Sequence, residues 1–285
     1  MADSMLAFLT EGQEAGSRYC LAAPGRPPSG TAGAQLGRAA GESMEFMDHR
    51  EYQPGDDLRR LDWAAFARSD KMIVKLYQQE VSPHLDLVLD GSRSMSLEGS
   101  EKRRAAMGLA AALCTAAGNA GHTHRVYQTG GGCQPVVNGA ESPHLWQGLA
   151  FDATESPPES FRVLPPAWRP RGIRVFLTDL LWLDDPMELL SPLSQGAAAA
   201  AVIQILAAAD VDPPLNGALR LVDSESQQTE EIFLDTPALN RYRENLRRHR
   251  ENWRQAVRQV GAVFVSLVAE ELCGNWDLSP LVEAG

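Results

Sequence analysis

No stretch of this chain stays apolar for the roughly 18 residues that a membrane span requires, and the longest apolar run, alanine-rich residues 197–209, stops short of it. The first ten residues carry no basic segment and only an interrupted apolar run, so they do not read as a signal peptide. Cysteine is scarce: Cys20, Cys114, Cys133 and Cys273 lie far apart with no Cys-x-x-Cys pair, which argues against both a disulfide framework and a zinc site. Basic charge is also short, with 26 Lys and Arg against 37 Asp and Glu and a net charge of −11. That balance disfavours nucleic acid or an anionic membrane as the main partner, since both are bound through basic surface. The expectation is a cytoplasmic protein with no membrane span.

Several catalytic signatures are missing as well. The Gly130-Gly131-Gly132 triplet is not followed by the Gly-Lys-Ser/Thr that holds phosphate and magnesium. There is no nucleophile elbow with a Ser/His/Asp set. His122, His124 and His144 lack metal-ligand spacing and read as solvent-facing.

What is present centres on residues 85–95. Leu85, Leu87, Val88 and Leu89 form a nearly continuous apolar segment, the pattern of a strand covered on both faces in a parallel sheet. Asp90 follows at its carboxyl end, where open α/β sheets place ligands. Asp90, Ser92 and Ser94 then alternate through a turn at Gly91, so three oxygen donors can converge. Such donors suit Mg²⁺, which takes oxygen ligands octahedrally and usually only one or two carboxylates. The plainer reading makes Asp90 a cap for the helix that follows. A second apolar strand over residues 173–178 leads into Asp179, and two strands ending in Asp suit a shared site.

Along the chain, residues 2–17 form an amphipathic helix and 23–41 a Gly/Pro-rich loop. Residues 45–63 alternate charges with aromatics around a Pro54-Gly55 turn, with Asp56 or Asp57 as cap of a short helix over 63–68 and an ion network around Trp63. Strands follow over 72–80 and 85–89. Then come a helix over 98–120, strands over 123–127 and 134–137, a short helix over 142–149, and a proline-rich loop over 151–170. The pattern closes with strand 173–179, helix 187–193, strand 199–207, a hairpin over 218–235, a helix from Thr236-Pro237 to about 260, and strand 262–268. The last helix carries Arg241, Arg243, Arg247, Arg248, Arg250, Arg254 and Arg258, either a solvated face or a surface for an acidic partner. The order of elements predicts an α/β fold, a doubly wound, mostly parallel sheet over 82–285, with an N-terminal extension over 1–81 packed on it.

Two groups of residues resemble known families. Asp90-x-Ser92-x-Ser94 with Asp179 is similar to the metal-ion-dependent adhesion site of von Willebrand factor A-like domains. Glu45-Phe46, Arg50, Tyr52, Pro54-Gly55-Asp56-Asp57, Arg59, Asp62-Trp63, Ala67-Arg68 and Glu80 resemble the signature of the bacterial "domain of unknown function 58" family. The resemblance implies a von Willebrand factor A-like, Rossmann-like sheet working with a MoxR-type AAA+ ATPase in protein assembly, maturation or cofactor insertion. It implies Mg²⁺, or Mn²⁺ or Ca²⁺, held by Asp90, Ser92 and Ser94 from a first loop and Asp179 from a third. The second loop should supply a Thr, and Thr154 is the candidate, without the usual glycine-rich lead-in. The expected function is a non-enzymatic interaction module in which a partner's acidic side chain completes the metal shell. One alternative is a metal-dependent hydrolase or phosphotransferase using Asp90, although a haloacid dehalogenase-type enzyme would need Asp at the position of Ser92. The other is a metal-free scaffold.

Overall fold

The computed structural model describes residues 2–21, 44–54, 56, 61–69, 71–79, 83–213, 217–224 and 228–282. The predicted 23–41 loop and the signature residues Gly55, Asp57, Arg59 and Glu80 lie outside them. The chain divides into two compact units, residues 26–82 and the remainder, 1–25 with 83–285.

The larger unit is built on one six-stranded sheet. Its strands are β3 (His84–Leu89), β4 (Thr123–Thr129), β5 (Cys133–Pro135), β6 (Ile173–Thr178), β7 (Ala199–Leu206) and β10 (Val263–Val268), in the spatial order β10-β7-β6-β3-β4-β5. All pairings are parallel except β4 with β5. This is the expected α/β architecture. β3 and β6 are central and buried throughout, which explains their mostly apolar sequences, interrupted by the buried His84, Asp86, Arg174 and Thr178. Their side chains alternate between two cores. Leu85, Leu87, Leu89, Val175 and Leu177 face the one that holds helix α3 (Lys102–Asn119), while Val88 and Phe176 face the other, with Leu189 and Leu190 of α5 (Pro186–Ser194) and Trp253 of α7 (Thr236–Gln259). The chain leaves β3 for β4 on one side and later returns to β6 on the other. The carboxyl ends of β3 and β6 therefore flank the point where the winding reverses, the ligand crevice of doubly wound sheets.

Helix α1 (Ala2–Gly16) belongs to this unit, and it packs on α3 with backbone against backbone. A Cβ at Gly12 would lie 2.0 Å from the carbonyl oxygen of Gly108, and one at Gly16 would lie 2.3 Å from that of Ala112. Glycine's missing side chain is what permits the approach.

Other elements refine the sequence reading. The proline-rich 151–170 stretch contains a helix, α4 (Pro157–Val163), started by two prolines at its amino end where their fixed φ suits a first turn. The helix expected over 142–149 is only a 3₁₀ turn, Pro143–Leu145. α7 is capped by Asp235, which accepts from Ala238 N at 2.8 Å, rather than by Thr236. Short helices α6 (Ala208–Val211), α8 (Ala269–Asn275) and α9 (Ser279–Val282) complete the unit, and β8 (Gly217–Val222) pairs with β9 (Thr229–Leu234) as the expected hairpin. His122 is buried rather than solvent-facing. Among the described residues no helix is long and apolar enough to cross a membrane.

The smaller unit is an antiparallel pair of β1 (Met44–Glu51) and β2 (Ile73–Gln79), joined through α2 (Trp63–Ser69). The charged and aromatic stretch at 44–51 is thus a strand. Asp62, not Asp56, caps α2, accepting from Ala64 N and Ala65 N at 3.0 Å each, while Asp56 closes the turn by binding Arg50 Nη2 at 2.7 Å and Gln53 N at 2.8 Å. Trp63 is 62% exposed and stacks edge-on with Phe66; of the ion network expected around it, Arg50 pairs with Asp56, while Asp57, Arg59 and Arg60 lie outside the described residues.

Candidate functional site

Asp90 follows β3 and extends the sheet by one bond, its N–H donating to Leu177 O at 2.9 Å. The chain then turns at Gly91, whose N–H donates to Thr129 Oγ1 at 2.9 Å and where a Cβ would strike Thr129 O at 2.1 Å. Only glycine fits so close to β4. The turn folds Ser92 N back onto Asp90 Oδ1 at 2.9 Å, and a 3₁₀ turn, Arg93–Ser96, brings the Ser94 hydroxyl within 3.0 Å of the Ser92 hydroxyl.

Asp90 is fully buried, and its second oxygen accepts from Thr178 Oγ1 at 2.7 Å. Among the described residues no basic side chain pairs with it. Burial first, then the neighbouring Asp179 carboxylate, push its pKa from 3.8 up to about 6, against the pull of the Thr178 hydroxyl and Ser92.

Asp179 follows β6 and is also buried. Its Oδ1 accepts from Leu181 N at 3.0 Å and its Oδ2 from the Nζ of Lys102 at 3.0 Å. The intervening Leu180 adopts φ of 58°, left-handed backbone that an L side chain rarely takes, held by Thr178 Oγ1 and by His249 against its carbonyl. Lys102 opens α3 and has no exposed surface, and it also reaches Asp210 Oδ2 at 3.2 Å. Burial disfavours its ammonium, but Asp179 and Asp210 outweigh that and hold its pKa above the ordinary lysine range. A relay braces the loop from behind: Gln204 Nε2 donates to Asp179 O at 3.0 Å, Ser266 Oγ to Gln204 Oε1 at 3.0 Å, and Arg250 Nη2 to Ser266 Oγ at 2.9 Å.

The loop carrying Thr154 lies beside the first. Ser92 and Ala153 form a parallel bridge, with Ala153 N donating to Gly91 O at 3.1 Å and Arg93 N to Ala153 O at 3.2 Å. Thr154 itself is exposed and lines a cleft of about 350 Å³ with Gln128, Gly131 and Glu155. In that cleft the glycine triplet grips a carboxylate, Gly131 N donating to Glu155 Oε1. The structure therefore brings together Asp90, Ser92, Ser94 and Asp179, sets the Thr154 loop alongside, and adds three residues the sequence reading missed: Thr178, Lys102 and Asp210. Lys102 shares a helical stripe with Ala105, Ala106 and Leu109, all buried, and that periodicity marks it as inward-pointing.

The donors at Asp90, Ser92 and Ser94 fit a hard divalent ion. Two ligands on adjacent vertices of a magnesium octahedron stand about 3 Å apart, and the serine hydroxyls are separated by that distance, 3.0 Å. Asp90 offers a carboxylate without a counter-charge. Asp179 differs, because Lys102 already neutralises it.

Fold and site together define a doubly wound α/β domain with a carboxylate and hydroxyl cluster at its switch point. The chain belongs to the family described as "Protein of unknown function DUF58", whose profile matches residues 48–252. Among curated proteins it is 28% identical over 249 residues to an uncharacterized protein of Mycobacterium bovis, covering 82% of this chain and 78% of that one. An uncharacterized protein of Mycobacterium tuberculosis matches with the same figures, 28% over 249 residues. Among solved structures, the conserved hypothetical protein BatB from Bacteroides thetaiotaomicron aligns at 10% identity and a TM-score of 0.33, covering 71% of this chain and 100% of that one. An aerotolerance-related membrane protein from Bacteroides fragilis aligns at 13% identity and a TM-score of 0.35, covering 65% and 92%.

Proposed function

We propose that this chain is a non-enzymatic protein-interaction module that docks its partner through a divalent cation, Mg²⁺ by preference, at Asp90, Ser92 and Ser94. The partner is a MoxR-type AAA+ ATPase, or a protein presented with it, that donates an acidic side chain, in keeping with the von Willebrand factor A-like pattern of the loop. When bound, the cation supplies an electrophilic position for that carboxylate, since one ionised ligand and two neutral hydroxyls leave most of its charge unspent. The observation that carries this reading is the serine pair 3.0 Å apart beside a buried carboxylate that no basic side chain pairs with among the described residues. The rim supports it. The first loop runs on into Leu97 and the third into Leu181 and Leu183, exposed leucines, Leu183 97% accessible, of the kind a protein partner would cover.

A hydrolase using Asp90 as nucleophile fits less well. A haloacid dehalogenase-type nucleophile works with a second Asp two residues on, and Ser92 stands at that position.

Asp90→Ala is expected to abolish Mg²⁺-dependent capture of a candidate AAA+ partner, measured by interferometry in Mg²⁺ against chelator, while the circular dichroism spectrum stays that of the wild type. Capture unchanged in the variant would contradict the proposal.

A further inference from the structure

We propose that Lys102 is a resident cation that keeps Asp179 from ligating metal directly, so that Asp90, Ser92 and Ser94 are the protein's donor set. The inference rests on the metal reading above. Asp179 accepts from Leu181 N at 3.0 Å and from the positively charged Lys102 ammonium at 3.0 Å, whereas the oxygens of Asp90 accept from the neutral Ser92 N and Thr178 hydroxyl. The ammonium has no exposed surface, is also held by Asp210 at 3.2 Å, and sits on the first turn of a helix whose same stripe is core. It has no solvent into which to swing. Breaking a buried ion pair from one side leaves an uncompensated charge, at a cost of several kcal/mol, so an arriving cation gains nothing by displacing it.

The charge count gives the consequence. Asp90, Asp179 and Asp210 would present three negative charges to the crevice. Lys102 removes one and anchors two of the three carboxylates, Asp179 and Asp210. In keeping with this, no group of three or more His, Cys, Asp or Glu that could hold a metal gathers among the described residues. A cation held by so few charges binds the protein weakly and its partner's carboxylate strongly. Lys102 thus makes metal retention depend on the partner.

The test is calorimetric titration of Mn²⁺ into the full chain, comparing wild type, Lys102→Met, and Lys102→Met/Asp179→Asn. The double variant removes the pair as a neutral exchange and leaves Asp210 one-fifth exposed and bound to Ala207 N at 2.9 Å, which protects the fold. It is expected to bind Mn²⁺ within about threefold of wild type, whereas Lys102→Met alone frees the Asp179 carboxylate and tightens binding by about tenfold or more. A double variant that loses more than about tenfold shows Asp179 to be a ligand and overturns the inference, and this comparison stands even where the single variant does not fold. If wild type binds no Mn²⁺ but Lys102→Met does, the metal reading fails while Lys102 is confirmed as the occupant of the cation's place. If no folded variant binds Mn²⁺, both fail.

Discussion

Asp90→Asn is expected to make the metal-free protein more stable at neutral pH and to cancel that advantage in acid. The folded pKa of Asp90 lies near 6, above its ordinary 3.8. Below 3.8 the group is neutral in both states and costs nothing. Between 3.8 and about 6 the unfolded chain releases a proton that the folded protein retains, so stability is lost as pH rises, and above about 6 the fold bears the full penalty. Two pKa units and a little more correspond to about 3 kcal/mol. Asparagine escapes this but has one acceptor oxygen where Asp90 uses two, for Ser92 N and for the Thr178 hydroxyl, a loss of about 1 kcal/mol. Urea unfolding in chelator should therefore show the variant ahead by about 1–2 kcal/mol at pH 7.5 and level or behind at pH 4. Saturating Mg²⁺ should raise the wild type, by about 2.7 kcal/mol at a hundred times its Kd, and leave the variant where it was. A variant less stable than wild type at pH 7.5 in chelator would show that Asp90 is not carrying an unpaired buried charge.

The second large effect concerns the attachment of α1. Glycine to alanine ordinarily stabilises a helix by about 0.5–1 kcal/mol, and Gly118 in α3 meets that condition, since a Cβ there touches nothing within 4 Å. Gly12 is the opposite case. A methyl there would sit 2.0 Å from Gly108 O and 2.5 Å from its carbonyl carbon, backbone atoms that cannot rotate away. The helices must separate, loosening the contacts of Leu9 and Ala15 with the core. Gly12→Ala is expected to lower unfolding free energy by about 2–3 kcal/mol, while Gly118→Ala raises it by about 0.5–1. Equal effects of the two substitutions would refute the close backbone packing.

These cases show what was legible before the fold was known. β3 and β6 are buried on both faces and β7 nearly so, so these strands, like β10 at the edge, are mostly apolar, and that run of apolar residues identifies them. From the strand ends, Asp90 and Asp179 follow, since one sheet edge collects the carboxyl ends of parallel strands. Contacts made by the absence of a side chain leave no such mark: Gly12 and Gly16 dock α1 but add nothing to an apolar pattern. Lys102 sits in a Lys-Arg-Arg run that resembles a solvated face, and only the stripe through Ala105, Ala106 and Leu109 reveals which of the three turns inward. Residues 44–51 mix charges with aromatics and lack a period-two apolar pattern, so the strand there leaves little mark in the sequence. Thr154 was expected as a ligand by analogy. Its loop is placed beside Ser92 by the bridge at Ala153, while the threonine lines the neighbouring cleft.

The measurement that bears most directly on the central claim is Mn²⁺ titration followed by electron paramagnetic resonance, with wild type and Asp90→Asn compared at pH 7.5. The account predicts one bound Mn²⁺ per wild-type chain, displaced by excess Mg²⁺ and absent from the variant. Equal Mn²⁺ uptake by the two proteins, or none by wild type even with its AAA+ partner present, would contradict it.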